Sequence, residues 1–119
     1  MESGVYIAVF WLAQRRHIRV GRLGRFLFEP GFYLYVGSAQ RNLLARLDRH
    51  GRRRKPLRWH IDYLSCHATM IGAMTVPGPR TRECELAREL SGRFDLAVPR
   101  FGASDCGCPG HLFYSPSLP

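Results

Sequence analysis

The sequence predicts an α+β domain: a small, mainly antiparallel sheet of three or four strands flanked by helices. Three observations carry this expectation. Apolar runs rich in β-branched and aromatic residues occur at Gly4 to Leu12, Phe32 to Val36 and Thr69 to Val76. Segments with apolar residues at helical spacing follow the second run at about 42–51 and the third at 82–90. The resulting order, β-β-β-α-(α)-β-α, implies helices packed on an antiparallel sheet.

Gly4 to Leu12 is almost wholly apolar, as a buried strand is. Gln14, Arg15 and Arg16 make a polar turn, and His17 to Val20 returns as a second strand, so the two read as a hairpin. Gly21, Gly24, Pro30 and Gly31 surround the apolar Phe26, Leu27 and Phe28, which places loops around a short strand. In the helix at 42–51, Leu43, Leu44 and Leu47 form one apolar arc, with Arg46 and His50 together at its edge. Residues 51–58, GRRRKPLR, are too polar to bury and are interrupted by Pro56, so they form a basic loop. Leu57 to Ser65 is weakly helical. After the strand at Thr69 to Val76, Pro77, Gly78 and Pro79 break the chain, and Thr81 can cap the helix that follows. From Gly92 onward Gly and Pro dominate, with a last strand at Leu112 to Tyr114. Residues 1–119 read as one domain, with no internal repeat and no boundary for a second.

The net charge of +9 points to a polyanionic partner. All but one of the basic residues are arginine, the side chain that contacts phosphate with two parallel donors. No stretch has the roughly 18 consecutive apolar residues of a membrane span, and the N-terminus lacks the pattern of a signal peptide. Cys66, Cys84, Cys106 and Cys108 form no evident disulfide framework, which suits a reduced, cytoplasmic chain.

Four groups of residues could carry chemistry. Arg46 and His50, one helical turn apart, suit phosphate handling where the core meets solvent. Glu83 stands in the apolar stripe of its helix with Leu86, Ala87 and Leu90, while Glu85 and Glu89 fall on the other face. A carboxylate so placed needs a metal ion or an arginine beside it, and Glu85 is the alternative. Arg49, Arg52, Arg53, Arg54, Lys55 and Arg58 form a basic run with no evident acidic partner. It would bind a nucleic-acid backbone largely regardless of sequence, with Trp59 available to stack on a base or to enter the core. Cys106, Cys108 and His111 could hold zinc with Cys84 or Cys66 as fourth ligand, or could be small buried groups closing the last strand. Ser104 and Asp105 read as the start of a turn.

The ordered set Gly4-Val5-Tyr6, YVGSA at 35–39 and LLARLDRH at 43–50, with WHIDYL at 59–64, ECELA at 83–87 and SDCGCPGHLFY at 104–114, resembles a small prokaryotic subgroup of the GIY-YIG nucleases. The likeness covers nearly the whole chain. It departs from the common form of that superfamily in the long separation of the two tripeptides, and from the subgroup in having Arg58 where relatives often carry histidine. The resemblance implies an endonuclease that hydrolyses phosphodiester bonds in DNA, less surely RNA, through Mg²⁺ or Mn²⁺ held by Glu83. It further implies roles for Tyr6 and Tyr35 near the attacking water. A free tyrosine is a poor base at neutral pH, so Tyr6 would need a nearby cation to lower its pKa, or His50 to take the proton. Arg46 would neutralise the phosphate. The competing expectation is a nucleic-acid-binding module without catalysis, with a structural zinc at the late cysteines. The sequence names no protein partner and no substrate structure.

Overall fold

The central strands are apolar over their whole length because both of their faces are covered. The computed structural model describes residues 3–104 and 106–119, so Asp105 lies outside the described residues. Its main sheet has five strands in the order β5-β1-β4-β7-β6, formed by β1 (Gly4–Leu12), β4 (Gly31–Ala39), β5 (Thr69–Val76), β6 (Asp95–Leu96) and β7 (Leu112–Ser115). Every pairing is antiparallel. On one face Tyr6, Phe10, Tyr33 and Tyr35 pack under α1 (Leu43–Gly51), α2 (His60–Ser65) and a separate hairpin. On the other, Val5, Ile7, Leu34 and Val36 pack against Leu86, Ala87 and Leu90 of α3 (Arg82–Ser91). Strands covered on two faces read as continuous apolar runs rather than alternating ones.

The α+β architecture follows the sequence reading, and two details differ. The sheet has five strands rather than three or four. The first and second strands also do not form a hairpin. β2 (Arg16–Val20) pairs with β3 (Gly24–Phe28), whereas β1 pairs with β4 from Gly4 opposite Ala39 to Leu12 opposite Gly31. Length and pattern explain the choice. β1 and β4 are equally long and apolar on both sides, while β2 buries only Ile18 and Val20 and suits a two-stranded flap with one wet face.

Smaller departures have equally local causes. Leu44, placed in the apolar arc of α1, is 72% exposed, and the buried positions of that helix are Leu43, Leu47 and His50. Thr81 occupies the N-cap of α3, but its side chain makes no capping bond. β5 is apolar yet mostly exposed, because it is an edge strand with nothing outside it.

One feature of the sheet creates the site. β7 pairs with β4 from Phe32 to Tyr35, and after the Val36 N–H to His111 C=O bond no strand among the described residues covers that rim of β4. Through this notch side chains from both faces of the sheet can meet.

Candidate active site

A cleft of about 830 Å³ opens at the notch. Tyr6 from β1, Tyr35 from β4, Arg46 and His50 from α1, and Glu83 from α3 all line it. Tyr6 and Tyr35 reach it from the α1 side of the sheet, and Glu83 reaches it from the α3 side. Gly37 lies opposite Tyr6 in the strand register, and a Cβ there would come within 2.5 Å of the Tyr6 hydroxyl. The missing side chain at Gly37 is therefore the space in which the phenol lies.

The phenol oxygen of Tyr6 is 2.7 Å from Nε2 of His50. Burial holds the Tyr6 phenol well above its ordinary pKa, and the charge of Arg46 only partly offsets this. The lowered value expected from a nearby cation therefore does not arise. Burial, with the positive charge of Lys55 behind it, brings His50 down to about 3, so the imidazole is neutral at physiological pH. Tyr35 stands edge-on to His50, with ring centroids 5.9 Å apart, and burial raises its phenol as well. Among the described residues Nδ1 of His50 has no hydrogen-bond partner, which leaves Tyr6 as the one hydrogen-bonding neighbour of that ring.

Glu83 is paired, though not with an arginine. Its Oε2 accepts the Ser38 hydroxyl at 2.7 Å, and its Oε1 lies 3.1 Å from Nδ1 of His111. Burial alone would raise this carboxyl, but the bonds from His111 and Ser38 outweigh it and hold the group ionised below its ordinary range. Ser38 ties the two sides of the cleft together, since its backbone carbonyl accepts Nη1 of Arg46 at 3.1 Å. Its residue number places it inside the motif, but no sequence pattern marked its hydroxyl as a partner of Glu83. Glu85, the alternative carboxylate, is exposed and pairs with Arg82.

The basic run divides on closer inspection. Arg49 grips the buried Asp62 with two bonds, Arg52 pairs with Asp48, and Arg53 donates to Thr69. The Lys55 side chain is 3% exposed and caps the end of α1 through the carbonyls of Arg49 and His50. The expectation of a run without acidic partners is thus corrected: folding brings Asp62 and Asp48 to it. Arg54 and Arg58 are exposed, and Arg58 lines the cleft with Arg46 and Arg80, so Glu83 is the one carboxylate there among the described residues. The guanidinium groups of Arg46 and Arg49 lie 4.4 and 4.5 Å from the centre of the Trp59 ring, which is thereby occupied with cations rather than presented bare to a base.

Beside Glu83, Cys84, Cys106, Cys108 and His111 place one ligand atom each within 4.8 Å of all the others, a group able to hold a metal ion. All four cysteines are free thiols. Cys66, the other candidate fourth ligand, lies apart, with its thiol 3.5 Å from the Tyr63 carbonyl. His60 is not part of this group; its Nδ1 accepts the Gly102 N–H. Among the described residues no helix is long and apolar enough to cross a membrane.

No curated protein and no solved structure matches the chain. A family model described as a domain of unknown function, DUF123, matches residues 5–119. The match takes in Val5 and Tyr6 of the first tripeptide, the whole of the second, all of the helices and the late cysteine segment, and the chain belongs to the DUF123 family.

Proposed function

We propose that the cleft binds the backbone of a nucleic acid and hydrolyses a phosphodiester bond in it. One observation carries the reading: five side chains of complementary chemistry, drawn from two strands and two helices, line a single cationic cleft. The resemblance to GIY-YIG nucleases supports it and favours DNA over RNA. The two tripeptides on which it rests lie side by side on β1 and β4, with Tyr6 opposite Gly37.

The chain's own groups divide the work. Arg46, with one N–H given to Ser38, has donors left to clamp a phosphate and offset charge in the transition state. Tyr6 donates its phenol proton to Nε2 of neutral His50, and its oxygen can take a proton from the attacking water as that transfer occurs. Tyr6 and His50 thus act as one relay with His50 as the terminal base, and the anionic phosphate entering beside Arg46 supplies the negative charge that raises the low proton affinity which burial and Lys55 give the ring. Glu83 fits a divalent cation: each oxygen accepts one hydrogen bond and keeps a second lone pair. Mg²⁺ or Mn²⁺ held there, with its other positions left to water and phosphate, would supply Lewis-acid stabilisation of the leaving oxygen. Arg53, Arg54 and Arg58 give the loop beside α1 an affinity for the backbone that falls with salt. Free thiols suit a reducing compartment such as the cytoplasm.

The test is cleavage of plasmid and single-stranded DNA by the purified chain with Mg²⁺ or Mn²⁺. Activity that survives Glu83→Ala removes the metal site, and undiminished activity in Arg46→Ala removes the clamp. The cysteine–histidine group favours a second reading, a nucleic-acid-binding module with a structural zinc. That reading predicts salt-sensitive binding and no turnover with any divalent ion.

A further inference from the structure

We infer that Cys84, Cys106, Cys108 and His111 form a closed zinc site, and that Glu83 is the carboxylate that orients its histidine. The inference holds whether or not the cleft is hydrolytic. In a tetrahedral site with Zn–N near 2.0–2.1 Å and Zn–S near 2.3 Å, ligand atoms stand about 3.6–3.8 Å apart. Nε2 of His111 is 3.6 Å from the Cys106 sulfur and 3.9 Å from that of Cys84. All four ligand atoms lie within 4.8 Å of one another, so a small contraction around a cation suffices.

The histidine supplies an independent observation. A ligand nitrogen must be bare, so metal binding through Nε2 requires the proton on Nδ1, and there Oε1 of Glu83 waits at 3.1 Å. A carboxylate on the far nitrogen is the usual outer partner of a zinc-bound histidine, fixing its tautomer and ring orientation. Three thiolates and one imidazole, with no position left open, describe a structural site for a soft, tetrahedral ion.

The fold also has a need that the ion would meet. Between β6 and β7 the described residues of 97–111 form no helix or strand, yet Val98, Phe101, Ala103 and His111 are buried. A segment of this length without regular structure is uncommon in a compact domain. Three of the four ligands lie on it, and the fourth, Cys84, is in the first turn of α3. The ion would pin the segment to that helix. Through Glu83, whose other oxygen holds Ser38, it would also set the wall of the cleft.

The test uses the full chain and zinc itself. The purified protein should carry about one zinc per chain. Replacement by Co²⁺ should give thiolate-to-cobalt charge transfer and the strong visible bands of a tetrahedral site. Cys106→Ser and Cys108→Ser should each lose stoichiometric zinc. Glu83→Gln should keep the cobalt spectrum but lose zinc to a competing chelator about 10- to 100-fold more readily. Wild-type chain that takes up no zinc, or an octahedral cobalt spectrum, overturns the site without recourse to any variant. An unchanged chelator midpoint in Glu83→Gln overturns the role of the carboxylate. Inactivity towards DNA with zinc retained would count against the hydrolytic reading alone.

Discussion

Tyr6 and His50 hold each other across the floor of the cleft, oxygen to Nε2 at 2.7 Å, and burial keeps both uncharged. The charged neighbours that bear on His50 are Lys55, Arg46 and Arg49, which disfavour its protonation, and Asp62, which favours it. His50 titrates at about 3 in the folded chain, against about 6.5 when unfolded. Between those values the unfolded chain takes up a proton that the folded chain refuses, so stability falls as pH drops from 6.5 towards 3. The loss from this residue should reach about 3 kcal/mol by pH 4. His60 and His67 are shifted in the same direction by burial, so the wild-type slope includes them. The difference between wild type and His50→Gln in urea unfolding from pH 4 to 8 isolates the one ring. Parallel profiles would contradict a buried neutral His50.

If the relay works as proposed, Tyr6→Phe removes the oxygen that receives the proton while keeping the ring that fills the core. Cleavage should fall by about 10²- to 10⁴-fold, the usual size of a lost acid–base contribution. Urea unfolding should show a loss of about 1–3 kcal/mol, the cost of leaving Nε2 of the buried His50 without its partner. A variant that loses fold and activity together would mark the phenol as structural.

Much of this arrangement is visible in the sequence, and what is hidden has a common cause. The buried strands, the helix carrying Arg46 and His50, and the apolar stripe around Glu83 are local patterns with fixed periods, and such patterns survive folding. The partners of Glu83 could not be seen this way, because Ser38 and His111 are 45 and 28 residues away. Strand pairing was hidden for the same reason. Proximity suggested a hairpin of β1 with β2, but nine matched residues of β4 compete for β1 across a longer loop, whose closure cost grows only slowly with length. The basic run hides its buried partner Asp62, which is reached only after α2 folds back, whereas Asp48, one helical turn before Arg52, is the exception: a local partner that the spacing itself offers. In the late cysteines the converging residues could be named, but the choice of Cys84 over Cys66 needed the orientation of α3.

Gly37 carries a constraint that can be tested apart from chemistry. A Cβ at this position would stand 2.5 Å from the Tyr6 oxygen and 2.6 Å from the ring carbon that bears it. Since Tyr6 is 1% exposed, the ring has little room to retreat. Gly37→Ala should therefore cost about 1–3 kcal/mol, the range for overpacking a filled core. It should also separate Tyr6 from His50. Combining it with Tyr6→Phe should recover part of that cost, because the closest of the clashing atoms is gone. Strict additivity of the two changes in denaturant unfolding would show that Gly37 is needed for some other reason.

Asp62 is the anchor behind the cleft, and its replacement tests how the basic helix is held. Its side chain is fully buried and accepts four hydrogen bonds: two from Arg49, at 2.7 and 3.0 Å, and one each from the N–H groups of Arg58 and Trp59, both at 2.9 Å. Burial by itself would raise this carboxyl, but Arg49 and the two backbone donors hold it below its ordinary value. A carboxylate shifted in that direction contributes stability that is complete above its unfolded value and is lost as pH falls through the folded one. Asp62→Leu should cost about 3–5 kcal/mol at neutral pH, because it leaves the Arg49 guanidinium and the buried Lys55 ammonium, 3.9 Å from the carboxylate, without their counter-charge and two backbone donors unpaired. Adding Arg49→Met removes one of the two stranded charges, so the double variant should be more stable than Asp62→Leu alone, though still short of wild type while Lys55 and the backbone donors lack their partner. A double variant less stable than Asp62→Leu would mean that Arg49 stabilises the fold chiefly through the Trp59 ring 4.5 Å away, and not through the carboxylate.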